Sequence, residues 1–83
     1  MQNQEAFENA VKQSKTLTER PSNDVLLNLY ALYKQATDGN VSGDRPSGFD
    51  FKGAAKYDAW AKIEGKDKET AAQEYIDLVN SLL

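Results

Sequence analysis

Two tyrosines and a lysine are spaced to share one edge of a helix, and their side chains could hold a ligand. Tyr30 and Lys34 stand four residues apart, with Tyr33 beside them and apolar Leu27 on the same flank. This edge would offer phenol hydroxyls, an ammonium group and an apolar surface, which suit a ligand with an anionic, aromatic end and an apolar end. Tyrosines at helical spacing are also common packing residues, so the spacing alone leaves both interpretations open.

The element that must position these side chains is a helix over residues 21–39, PSNDVLLNLYALYKQATDG. Pro21 and the capping side chains that follow it predict the start, and Gly39 predicts the end. At about 100° per residue, one arc is apolar, formed by Val25, Leu26, Leu29, Leu32, Tyr33 and Ala36. The opposite side is predicted to face solvent, and it holds Asn28, Ala31 and Gln35.

Three further helices are predicted, over residues 3–16, over residues 51–64 and from Asp67 onward, with Asp50 and Asp67 as N-caps. Four helices around one core make an all-α fold. The loop over residues 40–50 is long for so small a protein, and we expect Val41 and Phe49 to fix it to the core. Its Arg45 could pair with a nearby carboxylate.

Two lysines in the third predicted helix, Lys52 and Lys56, stand four residues apart and so repel each other on one face. A bound polyanion would turn that repulsion into attraction. Pairing of Lys56 with nearby carboxylates is an equally open interpretation.

Composition limits the chemistry available to this chain. The 83 residues predict one domain, 1–83, and they contain neither cysteine nor histidine. The commonest general base and the commonest metal ligands are therefore missing, and no serine has a suitable base, so we expect no catalytic residue, no metal site and no cofactor. The formal net charge of −3 does not indicate nucleic acid, and no apolar run approaches the ~20 residues of a membrane span. No secretory signal is visible either, so we expect a cytoplasmic monomer without stable membrane insertion.

The ordered set of motifs resembles the acyl-CoA-binding protein family. The segment from Tyr30 to Gly39 reads Tyr-x-x-Tyr-Lys-Gln-Ala-Thr-x-Gly. Further matches follow at spacings that need no insertion: Arg45-Pro46, Phe51-Lys52-Gly53, Asp58-Ala59-Trp60, Gly65 and Tyr75-Ile76.

This resemblance implies a four-helix bundle with up-down-down-up topology and a carrier and pool-forming role, with medium- to long-chain acyl-CoA as cargo. It assigns the 3′-phosphate of the coenzyme to Tyr30, Lys34 and Lys56. It places Tyr33 against the adenine, with Val11 and Lys15 on the facing helix. The acyl chain would lie along Leu26, Leu27 and Tyr57, the last standing where the family often has tryptophan. Tyr75 matches a further ligand-contacting position, and Lys15 and Arg20 match basic positions near the phosphates. The alternative is a helical protein-interaction module whose partner helix covers the edge from Leu27 to Tyr30.

Overall fold

Four helices make up the regular structure of the computed structural model, which describes residues 4–83. They are α1 (Gln4–Ser14), α2 (Asn23–Thr37), α3 (Phe51–Lys62) and α4 (Lys68–Leu82). Within residues 4–83 there is no strand, so the predicted all-α, four-helix fold is confirmed. Residue 3, where the first helix was predicted to begin, lies outside the described residues.

Local side chains set the ends of the helices. Ser22, Asp50 and Asp67 are the N-caps of α2, α3 and α4, and each accepts a bond of 2.7 to 3.3 Å from the backbone N–H three residues later. Gly39 and Gly65 follow the ends of α2 and α3 with φ angles of 88° and 93°, a region that L side chains avoid. The caps predicted at Asp50 and Asp67 are therefore confirmed.

The cap at Asp67 makes the stability of α4 depend on pH. Hydrogen bonds from Thr70 stabilise the carboxylate and lower the pKa of Asp67 below its usual value. A depressed pKa contributes stability that is present above the unfolded-state pKa, about 3.9, and is lost as pH falls through the folded-state pKa. Asparagine caps about as well and does not titrate. We expect urea unfolding at pH 7 and pH 3 to show a smaller loss of stability on acidification in Asp67→Asn than in the wild type. Equal losses would contradict the role given to this carboxylate.

Helices α2 and α3 run in the same direction. Midway along the pair, the Lys56 ammonium lies 5.4 Å from the centroid of the Tyr30 ring. Further along both helices, the indole N–H of Trp60 donates to the carbonyl of Gly39 at 2.8 Å. Residue numbers therefore rise together along the contact, which the long 38–50 connection allows because it returns the chain to the starting end of α2.

Helices α1 and α4 run opposite to α2. The rings of Tyr33 and Tyr75 lie 6.3 Å apart, and two residues nearer the end of α2 Gln35 reaches the Lys66 carbonyl that precedes α4. In α1, Phe7 stacks on Tyr33 at 5.9 Å, whereas residues at the end of α1 approach the first half of α2. The up-down-down-up topology is therefore confirmed.

The core is formed by one cluster from α1, α2 and α4: Phe7, Ala10, Leu29, Leu32, Ala36, Ala71, Ala72, Tyr75 and Val79. Two residues predicted to face solvent were predicted wrongly, because Ala31 and Gln35 are buried. Helix α2 packs against neighbours on more than one side, so it lacks a full solvent face. Gln35, only 1% exposed, donates to Asn40 Oδ1 at 2.9 Å and to the Lys66 carbonyl at 2.7 Å. Asn28 is exposed, as predicted.

The middle loop is held differently from the prediction. Phe49 is 94% exposed and does not fix the loop to the core, although Val41 is half-buried. Polar contacts to α3 hold it instead. Arg45 donates to both carboxylate oxygens of Asp58, at 2.8 and 2.9 Å, and the hydroxyl of Tyr57 donates to a loop carbonyl at 3.0 Å. The interpretation of Arg45 as the partner of a carboxylate is confirmed.

Candidate ligand-binding site

A cleft of about 600 Å³ lies along the parallel helices α2 and α3. Its walls combine the apolar and the basic side chains that the two helices turn toward each other. They are Leu26, Leu27, Tyr30, Phe51, Lys52, Ala55 and Lys56, with Arg20 and Asn23 from the start of α2 and the segment before it.

The charge of this cleft is one-sided. Arg20, Lys52 and Lys56 line it, and no carboxylate does. The guanidinium of Arg20 donates to the Asn23 side-chain oxygen at 3.3 Å, and the Lys56 ammonium lies over the Tyr30 ring. Three exposed cations around an apolar wall make a local positive site in a chain of net charge −3.

A second cleft, of about 320 Å³, adjoins the first where α1 and α4 meet α2. Leu26 and Tyr30 line both clefts, so the two lie side by side. The remaining walls of the second cleft come from three helices and the segment after α1: Val11, Ser14, Lys15, Leu17, Leu29, Tyr33 and Tyr75. A single elongated ligand could therefore contact both surfaces.

Aromatic rings form the floor of the second cleft. Phe7 stacks on Tyr33 with an interplanar angle of 16°, and Tyr33 remains 40% exposed. Tyr75 is buried against both rings, and its hydroxyl donates to Ser14 Oγ at 3.2 Å. Tyr33 thus presents ring surface to a ligand, whereas the buried Tyr75 packs against the Tyr33 ring from the core side.

Lys34 lines neither cleft. Its ammonium forms an ion pair with Asp38, one turn later in α2, and lies 5.0 Å from the centroid of the Trp60 ring. The hydrogen bond with Asp38 raises the pKa of Lys34, against an opposing effect of partial burial. Lys34 is therefore charged at neutral pH, but it already has an anionic partner that a phosphate would have to replace.

The structure brings together seven of the nine site residues predicted from the sequence. Those that line the two clefts are Val11, Lys15, Leu27, Tyr30, Tyr33, Lys56 and Tyr75. Lys34 and Tyr57 line neither, and the Tyr57 hydroxyl is bound to the middle loop. Sequence reasoning did not assign Phe51 and Asn23 to the site. The spacing of Phe51 and Ala55, one turn apart, was a usable signal for an apolar strip along α3.

Within residues 4–83, no group of three or more metal-ligating side chains comes together. No helix in the same range is long and apolar enough to cross a membrane.

Comparisons with known proteins point to one family. Residues 4–79 match the family model described as "Acyl CoA binding protein". The acyl-CoA-binding protein homolog of Drosophila melanogaster is 48% identical over 79 residues, which cover 95% of this chain and 92% of that protein. The crystal structure of Oryza sativa acyl-CoA-binding protein 2 superimposes with a TM-score of 0.90 at 48% identity, covering 95% of this chain and 88% of that chain.

The same segment also occurs within longer proteins. "Enoyl-CoA delta isomerase 2" of Rattus norvegicus is 53% identical over 79 residues, which are 95% of this chain but 20% of the isomerase. The chain therefore spans about a fifth of that relative's length.

Proposed function

The chain belongs to the acyl-CoA-binding protein family, and from that premise we propose that it binds medium- to long-chain acyl-CoA thioesters reversibly. In this role it carries the thioester and maintains a bound pool of it. Residues 1–83 act as one acyl-CoA-binding domain. The family match over residues 4–79 and the superposition of 95% of this chain on a solved acyl-CoA-binding protein support this role.

The observation that carries the proposal is the composite wall of the cleft between α2 and α3. Arg20, Lys52 and Lys56 supply positive charge in a cleft that no carboxylate lines, and Leu27 and Phe51 supply apolar surface in the same cleft. Coenzyme A is a polyanion, and its fatty acyl ester adds a long apolar chain. A cleft with only one of these two properties would suit either half of the ligand but not the whole.

The two clefts suggest a division of labour along the ligand. Tyr30 and Lys56, at their junction, hold the 3′-phosphate through a phenol donor and an ammonium, and Lys34 joins them by exchanging Asp38 for the phosphate. The adenine lies against the exposed part of Tyr33, next to Val11 and Lys15. Tyr75 supports Tyr33 from the core.

The acyl chain follows the apolar strip of the larger cleft. Leu26 and Leu27 of α2 face Phe51 and Ala55 of α3 there. Each methylene removed from water contributes about 0.8 kcal/mol, so affinity increases with chain length as far as this strip extends. Tyr57 acts indirectly, by fixing the middle loop against α3.

We further propose that the chain performs no chemistry on its cargo. A thioester hydrolase needs an activated nucleophile, and the sequence offers neither cysteine nor histidine for one. The isomerase relative is about five times longer than the shared segment, so its activity is not transferred to this chain. We also propose that the protein is a cytoplasmic monomer without stable membrane insertion. It has no nucleic-acid partner on this proposal, which the net charge of −3 supports.

A calorimetric titration with hexadecanoyl-CoA tests this function directly. We expect saturable binding of one ligand per chain, with no free thiol released beyond the rate measured without protein. A titration without saturable heat would refute the carrier role. Thiol release in proportion to protein concentration, in a contaminant-free preparation, would instead reveal an enzyme.

The helical protein-interaction module is the weaker candidate, and the comparisons do not favour it. Native mass spectrometry of the purified protein separates the two functions, because a carrier retains a molecule with the mass of an acyl-CoA and a module retains a peptide.

A further inference from the structure

Two phenylalanines project into solvent where the middle loop enters α3. Phe49 is 94% exposed and Phe51 is 74% exposed, and the backbone N–H of Phe51 donates to the carbonyl of Phe49 at 3.0 Å. This short bond keeps the two residues in one compact turn. Large aromatic side chains lose the stabilisation of burial when they stand in water, so two of them within three residues indicate a surface that is covered in some state of the protein.

Basic side chains accompany these rings. Lys52 follows Phe51 directly, and Lys56 and Arg20 line the same cleft as Phe51. The acidic side chain between the phenylalanines, Asp50, accepts the backbone N–H of Gly53 and so offsets the positive end of the α3 dipole. Exposed aromatics bordered by cations match the chemistry of an anionic lipid surface, whose headgroups attract the cations while the rings enter the acyl boundary.

The size of the patch argues against a protein partner. A large aromatic side chain buries roughly 150–250 Å² at most, so the two rings together fall well short of the ~800 Å² that each partner contributes to a standard protein interface. A membrane needs no such matched area, because a few inserted side chains and several nearby charges suffice for reversible binding.

We propose that the turn carrying Phe49 and Phe51, with Lys52, Lys56 and Arg20 beside it, docks this protein reversibly on anionic membrane surfaces. Docking needs no bound thioester and so does not depend on the proposed carrier function. The rings enter the interface only, since no helix in residues 4–83 could span the bilayer.

Cosedimentation with vesicles tests this inference. The ligand-free protein is mixed with phosphatidylcholine vesicles, with or without phosphatidylserine. We expect binding to the anionic vesicles that falls at least about fivefold without phosphatidylserine, because each basic side chain near an anionic surface contributes about that factor. Phe49→Ala should lower binding to the anionic vesicles by a similar factor. Phe49→Trp should retain it, and when those vesicles are added its emission should shift further to the blue than that of the wild type, which contains Trp60 alone.

Phe49 is the informative position because it lines neither cleft, whereas Phe51 does. Phe49→Ala should therefore bind hexadecanoyl-CoA as the wild type does, which separates docking from cargo binding and from misfolding. Equal vesicle binding by Phe49→Ala and the wild type, or no vesicle binding by either, would overturn the proposal. Sedimentation of the vesicle-free protein as a dimer that Phe49→Ala dissociates would overturn it as well, by assigning the turn to contacts between copies of the chain.

Discussion

Hexadecanoyl-CoA is expected to bind this protein at least about a hundredfold more tightly than either coenzyme A or hexadecanoate alone. A charge-assisted bond to a phosphate is worth roughly 1.5–3 kcal/mol, and each buried methylene about 0.8 kcal/mol. Removing the acyl chain loses several methylenes, and removing the coenzyme loses the phosphates, so each truncation costs at least about 3 kcal/mol. Calorimetric titration of the three ligands in one buffer measures the difference.

A pair of variants shows whether the apolar strip causes this preference. Leu27→Ala should weaken the binding of hexadecanoyl-CoA and leave that of coenzyme A nearly unchanged, because Leu27 lines the larger cleft and carries no charge. Asn28→Ala is the matched control, since Asn28 is the next residue of α2, is exposed and lines neither cleft. Hexadecanoate binding as tightly as its thioester would refute the composite site.

Helix ends were predictable because they depend on residues close together in the chain. Asp50 and Asp67 cap α3 and α4 through the backbone N–H three residues later, and glycines with positive φ follow α2 and α3. Such interactions can be identified from the local sequence without knowledge of the fold.

Burial was harder to predict, because it depends on what other helices bring to a residue. Gln35 is buried since its amide reaches the Lys66 carbonyl, 31 residues away. Phe49 is exposed, and the loop is held by polar contacts of Arg45, Asp58 and Tyr57 instead. Hydrophobic residues are buried more often than polar ones, but tertiary contacts determine whether a given residue is buried.

The site also combines features that local sequence predicts with contacts that depend on the fold. The contact between Lys56 and Tyr30 joins two helices, and sequence reasoning reached it through the family resemblance rather than through spacing. The ion pair of Lys34 with Asp38 lies within one helix at a spacing of four, so the sequence already contained its signal. The predicted partner of Lys34 was the ligand, whereas its partner in the structure is the nearer carboxylate of Asp38.

The ion pair of Lys34 with Asp38 bears on a second prediction, that Lys34→Ala lowers the affinity for hexadecanoyl-CoA. If Lys34 exchanges Asp38 for the 3′-phosphate, the substitution should weaken the binding of hexadecanoyl-CoA by at least about tenfold, since it removes a charge-assisted bond. The helix should remain intact because alanine is the better helix former. For esters of dephospho-CoA, which lack the 3′-phosphate, the same substitution should lower the affinity far less. Titration of both ligands into the wild type and the variant measures the difference.

Two further variants test whether Lys34 exchanges Asp38 for the 3′-phosphate. Asp38→Asn removes the competing carboxylate, so hexadecanoyl-CoA should bind this variant at least as tightly as the wild type. Lys12→Ala is the matched control for a lost positive charge, because Lys12 lies in α1 and lines neither cleft. If Lys34→Ala weakens both thioesters equally, the ammonium does not contact the 3′-phosphate. Its role is then confined to the ion pair with Asp38 and the contact with Trp60, and Tyr30 and Lys56 hold that phosphate without it.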